Sequence, residues 1–262
     1  MTNSPSHRDS VSIIVPTLNE EENIVPLVSQ ISASDVPFRE IVFVDYHSTD
    51  TTREKICELA EKQPIRLIEQ NEEDVGLAGA IMSGARAAQG EILLVMDADL
   101  SHPPECINDL LAPVFAGTGD LVIGSRYVKG GSTPGWPMWR RVVSRTGSAL
   151  AYPLTGVRDS MCGFFAISRT QLLELAPETS GFKIVFDILV RAGGTLRIRE
   201  IPIAFRQRVR GKSKMSFGIA LRFFFRWLGA MFQHLARGTH REEKAGSLVR
   251  PVGGLHHQTP GE

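Results

Sequence analysis

The chain has 262 residues, 42% of them apolar, enough for one large globular domain with its own core or at most two small ones. Its 29 basic and 29 acidic side chains cancel, and nucleic acid is not expected as a partner. Cys57, Cys106 and Cys162 share no C-x-x-C spacing, so neither a disulfide framework nor a zinc site is indicated and a reducing compartment is the simplest reading.

The opening MTNSPSHRDS has no apolar core and no cleavage pattern; residues 1–10 read as a flexible N-terminus without a signal peptide. VSIIVP (11–16) is a short β-branched run, and EENIVPLVSQI after it has helical spacing, with Glu20, Glu21 and Glu22 expected in the first turn. The pair recurs as EIVFVD (40–45) with TTREKICELAEK, IRLIEQ (65–70) with GLAGAIMSGARAAQG, and EILLVMD (91–97) with PPECINDLLAPVFAG, followed by DLVIGS (120–125). Uniformly apolar strands alternating with helices predict an α/β fold around a mostly parallel sheet covered on both faces. Beyond it the pattern predicts a helix near 138–152, a strand near 161–167, a helix near 182–192 and a strand near 196–205. In such sheets ligands bind outside the carboxyl ends of the strands, so Asp45, Asp97 and Ser125 are expected to converge on one crevice.

Charge is unevenly spread. Residues 1–100 hold 18 acidic against 7 basic side chains, whereas 197–226 hold 9 basic against Glu200 alone, which suits a cation and an anion bound side by side. The first strand is followed by TLNEEEN, without glycine, and no G-x-x-x-x-G-K-[ST] loop occurs, so neither a dehydrogenase nor a P-loop enzyme is indicated. Asp97-Ala98-Asp99 offers another chemistry: alternate carboxylates leaving a strand suit one Mg²⁺ or Mn²⁺, whose open positions take diphosphate oxygens. Capping of the helix that begins near Pro103 is the plainer alternative for the same carboxylates.

Five segments resemble glycosyltransferase family 2, most closely its polyprenol or dolichol phosphate mannosyltransferase branch: IIVPTLNEEENI, IVFVDYHSTDTT, GLAGAIMSGARAAQGEILLVMDADLSH, LVIGSRY and FRQRVRGKSKMSF. The resemblance covers nearly all of residues 11–216, in order and spacing. It implies a GT-A (Rossmann-like) domain, a nucleotide-sugar donor, a divalent metal (Mg²⁺ or Mn²⁺) and inversion at the anomeric carbon. It places Pro16, Leu18, Glu20, Val44 and Tyr46 at the donor nucleotide, and Asp97, Ala98 and Asp99 at the donor phosphates and metal, with Ser101 as a weak extra ligand. Arg126, Arg208 and Lys214 match positions that bind donor or acceptor phosphates; Asp159 and Asp187 resemble acidic positions on the sugar and acceptor side. Three departures bear on the donor. Leu18 stands where a tyrosine is usual and Tyr46 where an aspartate meets the base, and EQNEEDVGLAGA is acidic where the mannosyltransferases are commonly basic. A UDP-glucose or UDP-N-acetylglucosamine donor therefore stays open beside GDP-mannose, as does a catalytically silent binding module.

The chemistry needs a stabilised leaving diphosphate, for which Asp97, Asp99, Arg208 and Lys214 are the candidates. A polyprenyl phosphate acceptor, with a second pKa of about 6, needs no general base. Arg126, Arg140 and Arg141 are candidates for its phosphate, and Asp187 is the base if the acceptor is a hydroxyl. Residues 217–236, FGIALRFFFRWLGAMFQHLA, approach a membrane-spanning length, but Arg222 and Arg226 would each cost roughly 2.5–3.5 kcal/mol at the bilayer centre. They read as an amphipathic interfacial helix, with packing on the domain or on a second subunit as the alternative. Trp136, Pro137, Met138 and Trp139 offer a second apolar contact. The expected location is cytoplasmic, peripheral to the cytoplasmic face of a membrane; residues 237–262 read as a disordered tail.

Overall fold

Strands β1 (Val11–Thr17), β2 (Glu40–Asp45), β3 (Ile65–Glu69), β4 (Ile92–Val95), β5 (Leu121–Ser125), β6 (Phe165–Ser168) and β7 (Ile198–Pro202) form one sheet in the order β3-β2-β1-β4-β6-β5-β7. This arrangement belongs to a computed structural model that describes residues 10–34, 38–70, 76–176 and 183–207. Arg208, Lys214, the helix at 217–236, the tail at 237–262 and residues 1–9 of the N-terminus lie outside the described residues.

The β1–β2, β2–β3, β1–β4 and β5–β7 pairs are parallel, as the alternation predicts. β6 departs from it, running antiparallel between β4 and β5. Apolar runs mark burial on two faces and carry no strand direction. β6 itself starts at Phe165, four residues later than expected, and β7 occupies only 198–202 of the expected 196–205.

The helices are α1 (Ile24–Ala33), α2 (Thr52–Ala60), α3 (Gly76–Ala87), α4 (Ile107–Phe115), α5 (Met138–Thr155), α6 (Arg169–Leu175) and α7 (Ile184–Ala192). α6 was not predicted. α1 buries Ile24, Leu27, Val28 and Ile31, one stripe at helical spacing. It starts later than expected, and Glu20, Glu21 and Glu22 precede it. Glu20 instead accepts from Asn23 Nδ2 at 2.7 Å, and Glu21 from Thr51 Oγ1 at 2.5 Å, tying the β1–α1 turn to the β2–α2 loop. α3 is built from small residues so that it can lie close on the sheet: a Cβ at Gly84 would come within 2.6 Å of Ile14 Cγ2.

At the edge of the sheet opposite the strand carboxyl ends, the buried Glu40 carboxylate accepts from Ser12 Oγ (2.7 Å), Gln89 N–H (2.6 Å) and Arg66 Nη1 (2.9 Å). Burial raises its pKa, but these donors outweigh burial and hold it below the usual 4.5. A depressed folded-state pKa means stability present above about 4.5 and lost as pH falls through the folded value. Glu40→Gln is expected to cost about 2 kcal/mol at pH 7. Thermal melts at pH 7, 5 and 3.5 check this: the wild-type melting temperature falls towards the variant's as pH drops, and a constant gap would refute it.

Candidate active site

The site is built on the turn that leaves β4. The strand ends at Val95, so Asp97, Ala98 and Asp99 stand on irregular backbone past it, rather than on the strand as far as 97. Leu100 adopts φ +61°, a left-handed conformation rare for a branched side chain and a sign of backbone strain. This twist lets Asp99 Oδ1 accept from the Ser101 N–H at 3.0 Å. Asn19 (φ +56°) and His47 (φ +53°) are left-handed too, in the turns after β1 and β2, so the strained non-glycine residues gather at one end of the sheet.

His102 fixes the turn from beneath. The Asp97 N–H donates to its Nδ1 at 2.9 Å, which makes Nδ1 the unprotonated nitrogen and leaves Nε2 3.8 Å from Asp97 Oδ2. The ring is fully buried, stacked on Phe164 with centroids 5.0 Å apart and edge-on to Phe205 at 5.3 Å. Burial lowers its pKa, so it serves as a neutral clasp. Cys162, 4.0 Å from Nε2, is pushed up to about 12 by burial and is no thiolate nucleophile.

Asp99 is buried, Asp97 reaches solvent, and the Ser101 hydroxyl is fully buried with no hydrogen-bond partner among the described residues. Two carboxylates and an orphaned hydroxyl on one turn are all-oxygen donors, the set that hard divalent cations take, with coordination positions left for substrate oxygens. Among the described residues no three His, Cys, Asp or Glu side chains are grouped for a metal.

Of the three residues expected to converge, two are held by hydrogen bonds within the fold. Asp45 accepts from the Ser48 hydroxyl (2.5 Å) and N–H (2.9 Å), and the Ser125 hydroxyl donates to Glu200 at 2.8 Å. Pro16 and Val44 are register partners on β1 and β2, and the Tyr46 N–H donates to Thr17 O at 3.0 Å, so the expected nucleotide-side positions do gather at these strand ends. Leu18 and Glu20 follow in the same β1 turn, and Tyr46 is exposed.

Arg126 is 8% exposed and already engaged: its Nε and Nη2 donate to the two Asp159 oxygens at 2.7 and 2.6 Å, and its N–H donates at 2.8 Å. Burial would lower the guanidinium pKa, but Asp159 reverses that and holds it raised. Glu200 in turn accepts from the Arg158 and Asp159 N–H groups at 3.0 Å, so it sets the carboxylate that sets Arg126. Trp136 lies between two arginines, 5.6 Å from Arg126 and 3.9 Å from Arg140 by ring centroid. Arg141 is directed elsewhere, to Thr133 O at 3.1 Å. Asp187 is buried on α7.

The basic segment also divides. Arg197 pairs with Asp120 and Arg199 donates to Thr118 O, both at the start of β7 and remote from the crevice. Arg206 crosses to the site: its N–H donates to Ser101 O at 3.0 Å and its guanidinium pairs with Glu105. His102 and Glu200 were missed by sequence reasoning. Glu200 carried a signal, as the lone acid in a basic run; His102 carried little beyond its place in the turn.

The Glycosyl transferase family 2 model matches residues 12–189. The chain belongs to that family. A dolichol-phosphate mannosyltransferase of Pyrococcus furiosus is 40% identical over 210 residues, covering 78% of this chain and 59% of its own length. The chain thus spans under two thirds of that relative. The dolichol-phosphate mannosyltransferase of Saccharomyces cerevisiae is 35% identical, covering 81% of this chain and 83% of its own, and a polyprenol monophosphomannose synthase of Mycolicibacterium smegmatis 36%, covering 78% and 80%. Among solved structures, glucosyl-3-phosphoglycerate synthase of Mycobacterium tuberculosis, crystallised with uridine diphosphate, superposes with a TM-score of 0.65 at 22% identity, covering 85% of this chain and 80% of that one. The fold is therefore the GT-A arrangement that the family resemblance implied, built on the α/β alternation.

Proposed function

We propose that this family 2 enzyme transfers a mannosyl group from GDP-mannose to the phosphate of a polyprenyl lipid at the cytoplasmic face of a membrane. One observation carries the reading. Beyond the oxygen-lined turn at 97–101, α5 exposes Met138 (71%), Trp139 (63%), Val142 and Val143 to solvent, while Arg140 turns back onto Trp136 beside Arg126. An apolar face next to two converging arginines is what a lipid with a phosphate head requires. No described helix is long and apolar enough to cross a membrane. The 35–40% identity to mannosyl-transferring relatives supports the sugar and the acceptor class.

An acceptor phosphate with a second pKa of about 6 is already dianionic near neutral pH. Its oxygen bonds to the anomeric carbon as the bond from that carbon to the diphosphate breaks, with inversion. The acceptor gives up no proton, so Asp187 is not needed as a base. Asp97, Asp99 and Ser101 would hold a divalent cation, which when bound neutralises the charge growing on the leaving diphosphate. Arg208 and Lys214, outside the described residues, are the expected cationic partners of that diphosphate.

A UDP-sugar donor is the second reading, favoured by Tyr46, which offers no carboxylate to a guanine edge. Radiolabelled GDP-mannose, UDP-glucose and UDP-N-acetylglucosamine, each supplied with Mn²⁺ and a polyprenyl phosphate in detergent, decide between them. Label should enter the organic phase from GDP-mannose. Entry from a UDP-sugar with none from GDP-mannose would reverse the assignment.

A further inference from the structure

The chain leaving β7 is tied at nearly every residue to a different part of the molecule. The Ile203 N–H donates to Ser125 O (3.0 Å), the Phe205 N–H to Ser132 O (2.9 Å) and the Arg206 N–H to Ser101 O (3.0 Å), while Gln207 Nε2 donates to Gly135 O. These bonds leave Phe205 little choice of place. Its ring centroid lies 5.3 Å from that of His102 and 5.3 Å from that of Trp136, at 81° and 80° to their planes, and 5.4 Å from the Arg126 guanidinium carbon. One ring thus joins three separate segments: the turn bearing Asp97 and Asp99, through His102; the loop ahead of α5, through Trp136; and the end of β5, through Arg126. Phe205 opens the FRQRVRGKSKMSF segment, in which the cations alone had an expected role.

These contacts restrain motions that the neighbouring hydrogen bonds leave free. His102 stacks on Phe164 with the planes 15° apart, a contact that by itself tolerates sliding. A second ring set at a right angle stops the slide, and Nδ1 stays under the Asp97 N–H. Arg126 is held in the same manner. Asp159 grips Nε and Nη2 along one edge of the guanidinium, and two bonds along one edge let the plane rock about it. Tyr127 (5.2 Å), Trp136 (5.6 Å) and Phe205 (5.4 Å) surround that plane and attract it through their rings. We infer that Phe205 is a positioning residue for both halves of the reaction, its one ring setting the metal turn and the acceptor arginine together. The inference rests on the proposed function, which puts the donor diphosphate on the 97–101 turn and the acceptor phosphate at Arg126. Phe205 has no polar side-chain atom with which to bind either. An aliphatic side chain of similar size would fill the space, but it offers neither a flat edge to His102 nor a negative ring face to Arg126. Altering this ring therefore disturbs the sites of two different substrates, whereas altering Asp99 or Arg126 disturbs one.

The test follows transfer from GDP-mannose to a polyprenyl phosphate in detergent by the full chain, as wild type, Phe205→Leu and Phe205→Tyr, with Mn²⁺ and acceptor titrated separately. Expected for Phe205→Leu is a rise of about fivefold or more in both the half-saturating Mn²⁺ concentration and the acceptor KM, with Phe205→Tyr within about twofold of wild type in both. Loss of packing alone would lower the melting temperature and the amount of active enzyme and move neither constant. Phe205→Met serves as the second truncation if the leucine variant does not fold. Unchanged constants in the truncated variant, a rise confined to one of the two, or a tyrosine variant as damaged as the leucine one would each overturn the inference. Failure of the proposed function looks different: wild type itself then gives no transfer from GDP-mannose, and the same two titrations, made with the sugar nucleotide it does use, decide the role of Phe205.

Discussion

Asp99→Ala is expected to reduce transfer to a polyprenyl phosphate by at least about 10³-fold. Asp99 is 3% exposed and bonded to the Ser101 N–H, so its carboxylate is held at the crevice before any ligand arrives. Without it the turn keeps one carboxylate and one hydroxyl, too few oxygens to hold a divalent cation firmly. Several kcal/mol of leaving-group stabilisation go with the cation, at about 1.4 kcal/mol per tenfold in rate. The alanine also removes the acceptor of the Ser101 N–H, the hydrogen bond that spans Leu100 in this turn. Initial rates across a Mn²⁺ titration, paired with electron paramagnetic resonance of free Mn²⁺, check both halves. Unchanged transfer would sink the mechanism and revive the silent binding module.

The second large effect falls on the pair Arg126–Asp159. Asp159→Asn leaves a buried guanidinium opposite a neutral amide, and breaking a buried pair from one side costs about 3–5 kcal/mol. In a chain of this size that lowers the melting temperature by about 10 °C. Arg126→Met combined with Asp159→Asn removes both charges, and most of that stability should return. Transfer should not return, because the cation expected at the acceptor phosphate is gone. Melting curves and acceptor kinetics on the single and double variants separate the two roles. A stable double variant with wild-type transfer would show that Arg126 only holds the fold.

Much of this was legible beforehand, for reasons that differ by residue. β1 to β5 were placed to within one or two residues because each is a short apolar run between polar turns, and such runs have few other folded uses. Asp97 and Asp99 stand out in the sequence as candidates because two like charges at alternate positions cost energy that a cation or an equivalent partner would offset. The clasp of His102 on Asp97 was not, since it depends on which way a ring turns. The Arg126–Asp159–Glu200 chain was not either: its members are 33 and 41 residues apart, and pattern within a segment says nothing of contacts between segments. Glu20, Glu21 and Glu22 were misplaced because helix-start preference was read where loop-to-loop hydrogen bonds won.

The reversed strand β6 sets an order in time. β1, β2, β3 and β4 are complete by residue 95 and neighbour one another, so that half of the sheet can close while the rest of the chain is still being made. β5 has no place in it. Its partners are β6 and β7, so the apolar LVIGS stretch leaves the ribosome 40 residues ahead of the strand that joins it to β4. At about 5–20 residues per second that is a wait of roughly 2–8 s. Arg126 comes directly after β5, so its pairing with Asp159 falls within the same wait.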